Sequence, residues 1–241
     1  MSRRPLGTAL VLLVLVIAGC AATPTETLPS PIVSPTVAVP VEPVDPTDPG
    51  VIRAAGTPLT SGAVTLTVSS PGLATSVDAD GSARISAPGG ALVAAPDGMT
   101  ISALSDGTAV VHDGGGAFVA GLTTEPWGTG LVQVGPEVVR LDDAAGLWFT
   151  TVAVESAVWG EAEGGRSLAV TPSAWARARG LAAQEGLWAQ VVALAPDADT
   201  PGMRAQLECH ELGAPDKATW NLEPWRPDVD AIEMIRERCN P

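Results

Sequence analysis

From about Thr57 to Leu141 the hydrophobic positions fall into short runs separated by polar residues, the pattern of β-strands. Residues 64–68, 83–86, 99–101 and 109–111 are such runs. Turn-forming residues stand between them at Pro71-Gly72, Asp80-Gly81, Pro88-Gly89-Gly90, Asp97-Gly98, Asp106-Gly107 and Gly114-Gly115-Gly116. Because no fixed motif repeats, this spacing favours an all-β meander or a sandwich over a solenoid.

A different pattern begins at about Gly146. Residues 147–159 and 166–171 predict two strands joined by a glycine-rich turn. Apolar residues then recur at helical spacing, which predicts a helix with one apolar face. That face would contain Leu181, Trp188, Val191, Val192 and Ala195.

Two further helices are predicted from the residues at their ends. Thr200-Pro201 is a typical helix start and Gly213 a typical stop. The helix between them would carry Met203, Leu207 and His210. A last helix is predicted from about Asp228 to Arg238, with Asp230 and Glu233 spaced as a capping box. Its apolar side would contain Ile232, Ile235 and Cys239.

The chain is therefore predicted to be an α+β protein, with an N-terminal all-β meander or sandwich-like region followed by a small α+β domain with one disulfide. Four segments are expected. Residues 1–19 form a signal peptide, and residues 20–55 form a lipidated cysteine and a Pro/Thr-rich tether. Residues 56–145 form the β-rich domain, and residues 146–241 form the α+β domain.

The N-terminus carries the pattern of an exported lipoprotein. Arg3-Arg4 precedes an apolar run from Leu6 to Ile17, which is short for a membrane span. The run ends in Ile17-Ala18-Gly19-Cys20, which resembles the bacterial lipobox. The resemblance implies lipidation of Cys20, with palmitate among its acyl chains, and anchoring on the extracytoplasmic face of the cell membrane. An ordinary signal peptide, an uncleaved anchor and a twin-arginine signal are the alternatives.

Charge and proline content limit how the exported chain can meet its partners. Its formal net charge is −14, and loss of Arg3 and Arg4 with the leader would make it −16. A chain this acidic repels nucleic acid and anionic lipid head groups, so membrane contact is expected through the lipid alone. Residues 24–50 are rich in proline and should form an extended tether or a disordered spacer.

Lipidation of Cys20 would leave Cys209 and Cys239 as the remaining cysteines. An even pair in an exported protein predicts a disulfide. Such a bridge would join the last two predicted helices and stabilise the fold by about 3–4 kcal/mol.

The C-terminal part carries the densest sequence signature. It consists of Cys209-His210, Lys217, the run Trp220-Asn221-Leu222-Glu223-Pro224-Trp225-Arg226-Pro227 and the final Cys239-Asn240-Pro241. With these motifs, residues from about Val152 to Pro241 resemble an uncharacterised bacterial family, domain of unknown function 2599. The resemblance implies an exported bacterial protein and supplies no activity, cofactor or catalytic residue.

The polar and aromatic residues of this signature have two interpretations. They can pack and pair within a small domain, or they can bind a sugar or a protein partner through an aromatic platform and cationic groups. Arg226 could pair with Glu223 or Glu211 in either case. The candidate binding residues are His210, Lys217, Trp220, Glu223, Trp225 and Arg226.

Three functions remain open on the sequence. The leading hypothesis is a non-enzymatic binding or interaction module of the cell envelope, with a cell-wall or envelope protein as partner. The second is an envelope hydrolase acting on peptidoglycan or glycan, through Cys209, a histidine and Asn240 or through Glu161 and Glu163. The third is a purely structural envelope protein. No residue is assigned as catalytic or metal-binding, and no cofactor is expected.

Overall fold

The computed structural model describes residues 44–126 and 129–241. The predicted leader, Cys20, the first part of the predicted tether and Trp127 lie outside the described residues. Within those two ranges, no helix combines the length and the apolar character needed to cross a membrane.

Short elements make up the described chain. The helices are α1 Pro49–Ala55, α2 Ala174–Arg177, α3 Leu181–Leu194, α4 Pro201–Gly213 and α5 Ala231–Arg236, with a 3-10 turn at Pro196–Ala198. The strands are β1 Thr57–Ser61, β2 Val64–Val68, β3 Thr75–Val77, β4 Ala83–Ala87, β5 Leu92–Ala94, β6 Thr100–Ala103, β7 Ala109–His112, β8 Phe118–Glu125, β9 Leu131–Gly135, β10 Val138–Leu141, β11 Ala145–Thr150, β12 Val154–Ala162, β13 Gly165–Pro172 and β14 Trp220–Leu222.

Two antiparallel sheets form the N-terminal part. Their strand orders are β1-β2-β5-β10-β9 and β3-β4-β11-β8-β7-β6. Alternate residues of both sheets bury their side chains in one shared core, which contains Leu59, Leu66, Ile101, Leu122 and Phe149 among others. Two sheets that share one core form a sandwich, and most of the core side chains are small aliphatics.

The turns between these strands lie where the glycines predicted them. The last glycine of each predicted turn signal has a backbone φ between 73° and 83°. These residues are Gly72, Gly81, Gly90, Gly98, Gly107 and Gly116. Glycine adopts this left-handed conformation without the steric cost that a Cβ would add. The positions of these turns were therefore predicted correctly from the sequence.

Helix α1 lies inside the range 20–55 that was predicted as a tether. Asp48 caps its first turn, and the side chain of Ile52 is buried against Ala94 and Val138. Residues 49–55 are therefore helical and packed rather than extended. A short segment with Val51 and Ile52 directly after a proline-rich run gave too weak a periodic signal to predict this helix.

The strand predicted over 147–159 is two strands that belong to different sheets. β11 pairs with β4 and β8 in the sandwich, and β12 pairs with β13 in a third sheet of order β12-β13-β14. The break occurs at residues 151–153. There Gln190 of α3 accepts from the amides of Ala153 and Val154 at 2.8 and 2.9 Å and donates to the Thr151 carbonyl.

A second core joins the sandwich to the C-terminal elements. It contains Trp148 of the six-stranded sheet, Trp175 of α2 and Trp220 of β14. The Trp175 indole covers Gly121 so closely that an added Cβ would lie 2.1 Å from its ring. Its ring N–H donates to Thr123 at 3.2 Å. Residues 44–241 consequently form one compact unit.

The N-terminus of α3 is capped by the sandwich. Asp106 Oδ2 accepts from the amide of Leu181 at 2.7 Å, and the Thr108 hydroxyl accepts from the amide of Ala182 at 3.2 Å. The predicted apolar face of this helix was wrong in part, because Leu181 is 39% exposed. The buried face is instead formed by Ala182, Ala183, Gly186, Leu187 and Val191.

Helix α4 confirms its predicted start, since Thr200 accepts from the amide of Met203 at 3.3 Å. Helix α5 is shorter than predicted, and Asp230 caps it by accepting from the amides of Ile232 and Glu233. The predicted apolar side of α5 was wrong in part, since Cys239 is buried but the two isoleucines are not. Ile232 and Ile235 are 72% and 68% exposed, and Met234 is buried in their place.

Candidate binding groove at the disulfide

A groove lies between the end of α4 and the end of α5. The predicted disulfide is present and joins Cys209 of α4 to Cys239 beyond α5, with their Cα atoms 5.5 Å apart. The groove encloses a cavity of about 630 Å³. Its lining consists of Cys209, Leu212, Gly213, Ala214, Lys217, Ile235, Arg238 and Cys239.

The wall on the α5 side is fixed by the way that helix ends. The amide of Cys239 donates to the carbonyl of Met234 at 2.9 Å, and the amide of Arg238 donates to that of Ile235 at 3.0 Å. This is the Schellman pattern. Arg238 and Cys239 both have left-handed backbones, with φ of 54° and 68°. Arg238 therefore occupies the position where helices usually carry glycine.

The opposite wall is the loop from Ala214 to Ala218, which α2 holds in place. Arg177 of α2 donates to the carbonyls of Pro215 and Lys217 at 2.6 Å and of Ala218 at 2.8 Å. The loop is therefore bonded at three successive points, and the main chain that carries Lys217 is held at the edge of the groove.

The surface of the groove is mainly apolar. Leu212 and Ile235 are 64% and 68% exposed, and the two cysteine sulfurs lie between their helices. A second cavity of about 180 Å³ shares Cys209, Leu212 and Ile235 with the first. Large aliphatic side chains left open to water on two neighbouring helices are typical of a binding surface.

Two cations border this apolar surface. Within the described ranges, Lys217 and Arg238 are exposed and neither pairs with a carboxylate. Most other described arginines do pair, namely Arg53, Arg84, Arg140, Arg166, Arg204, Arg226 and Arg236. In a chain with a formal net charge of −14, two cations without a carboxylate partner at one groove are an unusual local concentration of positive charge.

Among the candidate binding residues predicted from the sequence, Lys217 lines this groove. Glu223 and Arg226 instead form a buried pair, with Arg226 Nε 2.8 Å from Glu223 Oε2 and the two side chains 1% and 7% exposed. Ser167 donates to the other carboxylate oxygen at 3.2 Å, and Arg226 also binds Glu163 at 2.5 Å. Arg226 therefore pairs with Glu223 and not with Glu211.

The two signature tryptophans have different surroundings. Trp220 is fully buried and donates to the carbonyl of Ala214 at 2.9 Å, so it cannot offer an aromatic face to a ligand. Trp225 is 47% exposed and lies across Gly165 in the β12–β13 turn, with the Arg226 guanidinium 4.7 Å from its ring centre. Trp220 thus packs the core, and Trp225 covers the hairpin.

His210 is buried among these elements. Its Nε2 lies 3.0 Å from the carbonyl oxygen of Asn221, which can only accept, so Nε2 carries the proton. Its Nδ1 is buried without a hydrogen-bond partner in the described chain. Burial lowers the pKa of His210, opposed by the hydrogen bond to Asn221. A buried neutral imidazole of this kind is suited to packing.

Glu211, the next residue of α4, is also buried, with 4% of its surface exposed. Burial and, to a smaller extent, the nearby charge of Glu208 raise the pKa of Glu211 from 4.5 to about 7. Arg179 and a hydrogen bond from Gln184 act in the opposite direction. This carboxyl therefore changes its charge near neutral pH.

Two residues of the proposed Cys-His-Asn hydrolase are already engaged within the protein. Cys209 is bonded to Cys239 and has no free thiolate. Asn240 uses its side-chain amide to donate to the Arg238 carbonyl at 3.1 Å. In the described ranges, no three acidic, histidine or cysteine side chains cluster as metal ligands would.

Leu212, Ile235 and Arg238 are groove residues that sequence reasoning did not assign to binding. Ile235 was expected to pack, because helical spacing shows which residues share a face but not which face has a partner. A signal for Arg238 was present. It directly precedes a disulfide cysteine at the end of the last predicted helix, which places it beside the bridge.

Comparison with known families confirms the resemblance drawn from the C-terminal motifs. Residues 154–241 match the model of a family described as "Protein of unknown function (DUF2599)". The matched range begins with β12 and includes both helices of the groove, the disulfide and the Glu223–Arg226 pair.

Curated relatives come from mycobacteria. Uncharacterized proteins of Mycobacterium tuberculosis (strain ATCC 25618 / H37Rv) and Mycobacterium bovis are each 50% identical over 95 residues, which is 36% of this chain and 62% of theirs. An uncharacterized protein of Mycobacterium leprae is 41% identical over 81 residues, 32% of this chain and 60% of its own length. The chain thus spans about 60% of the length of these relatives. No solved structure matches it significantly.

Proposed function

We propose that the protein is a lipid-anchored component of the cell envelope whose C-terminal domain is a non-enzymatic binding module. The observation that carries the binding role is the groove at the disulfide, where exposed aliphatic side chains meet two unpaired cations. A groove fixed by a covalent bridge and a bonded loop is preorganised, which lowers the entropy lost on binding.

Anchoring through Cys20 is supported by the sequence alone. The apolar run that ends in Ile17-Ala18-Gly19-Cys20 has the length and ending of a lipoprotein leader. A lipid on Cys20 would tie the folded residues to the outer face of the cell membrane through the proline-rich segment. The expected partners are the membrane, through the lipid, and a cell-wall or envelope protein.

The anchor is tested by growing cells with an alkyne analogue of palmitate and isolating the protein. The wild-type chain should carry the label and sediment with membranes, whereas Cys20→Ala should lose both properties. Cys209→Ser serves as the matched control, because it changes another cysteine and should keep the label. Labelling that survives Cys20→Ala would refute the anchor at this residue.

The envelope hydrolase is weakened as an alternative by the state of its candidate residues. Glu163 is paired with Arg226, and Cys209 is held in the disulfide. A purely structural role is favoured for the Glu223–Arg226 pair itself, because both side chains are buried and bonded only within the protein. That pair is outside the groove lining, so it leaves the binding role of the groove intact.

A further inference from the structure

The groove is positively charged at its edge and apolar in its floor. Lys217 and Arg238 supply the charged side chains of the lining, and the rest of the lining is aliphatic, backbone or disulfide. A ligand that matches this surface needs an apolar body and an anionic end. It needs little further polar character, since the lining has no other polar side chain to receive it.

We propose that the groove binds a long-chain fatty acid. The acyl chain lies against Leu212, Ile235 and the disulfide, and the carboxylate is held between Lys217 and Arg238. This inference rests on the proposed role of the C-terminal domain as a binding module and names the class of its ligand.

The size of the site fits a single acyl chain. The main cavity of about 630 Å³ lies within the range of roughly 300–1,000 Å³ found for small-molecule sites. The second cavity of about 180 Å³ continues the apolar surface past Leu212 and Ile235, which gives the end of a chain somewhere to extend. A glycan head group would require hydrogen-bond partners that this lining does not provide.

The charge at the edge is local, so it attracts an anion despite the acidity of the whole chain. Exposed charges are screened beyond about 10 Å in moderate salt, so the two cations of the lining act more strongly on a bound carboxylate than most acidic residues of the chain do. Asp216 and Glu237 are chain neighbours of the two cations but are not part of the lining. Charge-assisted hydrogen bonds from an ammonium and a guanidinium are the donors that a carboxylate binds best.

The backbone at Arg238 supports a role for its side chain. A left-handed residue at the end of a helix is least strained when it is glycine. Arginine at this position, with φ of 54°, adds steric cost and makes no side-chain hydrogen bond to the described chain. Binding of an external anion gives this guanidinium a partner.

A second copy of the chain is a poorer occupant. A two-fold interface would place the same patch on both sides, so Lys217 and Arg238 of one copy would face a surface carrying the same two cations. Opposition of like charges next to apolar side chains disfavours that pairing.

The test uses residues 21–241, which keep the whole compact unit and omit the predicted leader and the lipidated cysteine. A fluorescent fatty acid is bound to the protein and displaced with palmitate or dodecanoate below their micelle concentrations. The control ligand is 1-dodecanol, the uncharged analogue of dodecanoate. We expect saturable displacement by both acids, and weaker displacement by the alcohol.

Three variants locate the site. Lys217→Ala and Arg238→Gly should each weaken binding roughly tenfold, the loss expected for one charge-assisted hydrogen bond. Arg238→Gly should leave stability unchanged or higher, because its backbone favours glycine, so weaker binding cannot be ascribed to unfolding. Arg236→Ala removes an arginine two residues away that pairs with Glu233, and should bind as the wild type does.

Failure to displace the probe with either acid would overturn the inference. So would equal binding of dodecanoate and 1-dodecanol, equal binding by all variants, or a dimer that Ile235→Asp dissolves. These failures are distinct from failure of the proposed function. If the same chain captured an envelope protein but bound no fatty acid, the proposed binding role would be kept and only the fatty-acid ligand would be rejected.

Discussion

Glu211 is predicted to make the stability of the protein fall as pH rises towards neutrality. Its carboxyl is 4% exposed, and its pKa is raised from 4.5 to about 7 by burial and by the charge of Glu208. Between these two values the folded protein keeps a proton that the unfolded chain has lost. Since the folded state binds more protons, its stability is full below about pH 4.5 and declines until about pH 7.

The size of this effect follows from the two pKa values. Each tenfold change in proton affinity is equivalent to about 1.4 kcal/mol, so the ionised carboxyl lowers the free energy of unfolding by about 3 kcal/mol at pH 8. For a unit of this length, 1 kcal/mol corresponds to about 2–4 °C in melting temperature. The charge on one side chain should therefore change the melting temperature by about 6–12 °C.

The perturbation is Glu211→Gln, which keeps the shape of the side chain and cannot ionise. The two proteins should be of similar stability at pH 4.5, and the variant should be more stable by about 3 kcal/mol at pH 8. Urea unfolding followed by tryptophan fluorescence, in steps from pH 4.5 to pH 8.5, measures this difference. Subtracting the curves removes other titrating groups, including His210, whose lowered pKa makes stability fall as the solution becomes acidic.

Glu237→Gln is the matched control, because it removes an exposed carboxyl near the end of α5 and should leave the pH profile unchanged. A difference between wild type and Glu211→Gln that stays constant from pH 4.5 to pH 8.5 would refute the reasoning. A variant that is less stable than the wild type at pH 8 would refute it more strongly, since burial of the charge would then carry no net penalty.

Two further changes test the packing of the C-terminal part. Arg226→Ala should lower the free energy of unfolding, measured in urea, by about 3–5 kcal/mol, because Glu223 is left buried without its partner. Arg236→Ala is the control; it breaks an exposed ion pair and should cost under about 1 kcal/mol. Equal losses in the two variants would contradict the argument. Gly121→Ala should destabilise by about 1–3 kcal/mol through overpacking, since its Cβ meets Trp175; unchanged thermal unfolding would show that the indole can move aside.

The sequence was informative where a local rule decides the structure. The turn glycines, the Thr200 cap and the cysteine pair each depend on one or two residues whose backbone or covalent chemistry allows few outcomes. These features were predicted correctly, and together they indicated short strands in the first part and a bridged pair of helices in the second.

The sequence was less informative where a distant element decides the structure. Helix α3 buries Ala182, Ala183 and Gly186 beside Leu187 and Val191, because small side chains let it approach β8 closely. Its other leucines, Leu181 and Leu194, are exposed. Ile232 and Ile235 are likewise exposed, because no other part of the described chain packs over that side of α5. Periodicity predicts which residues share a helix face, but tertiary packing decides whether that face is buried. The position of the groove could therefore not be predicted from the pattern alone.

The caps supplied by Asp106 and Thr108 affect how the family domain can be handled. Residues 154–241 match the family, yet the first amides of α3 are satisfied by side chains of the sandwich. If the chain were cut at residue 154, Leu181 and Ala182 would lose these acceptors, and α3 would begin without a cap. A domain transplanted onto another scaffold would consequently need a new acceptor engineered at Gly180, whose own side chain can provide none.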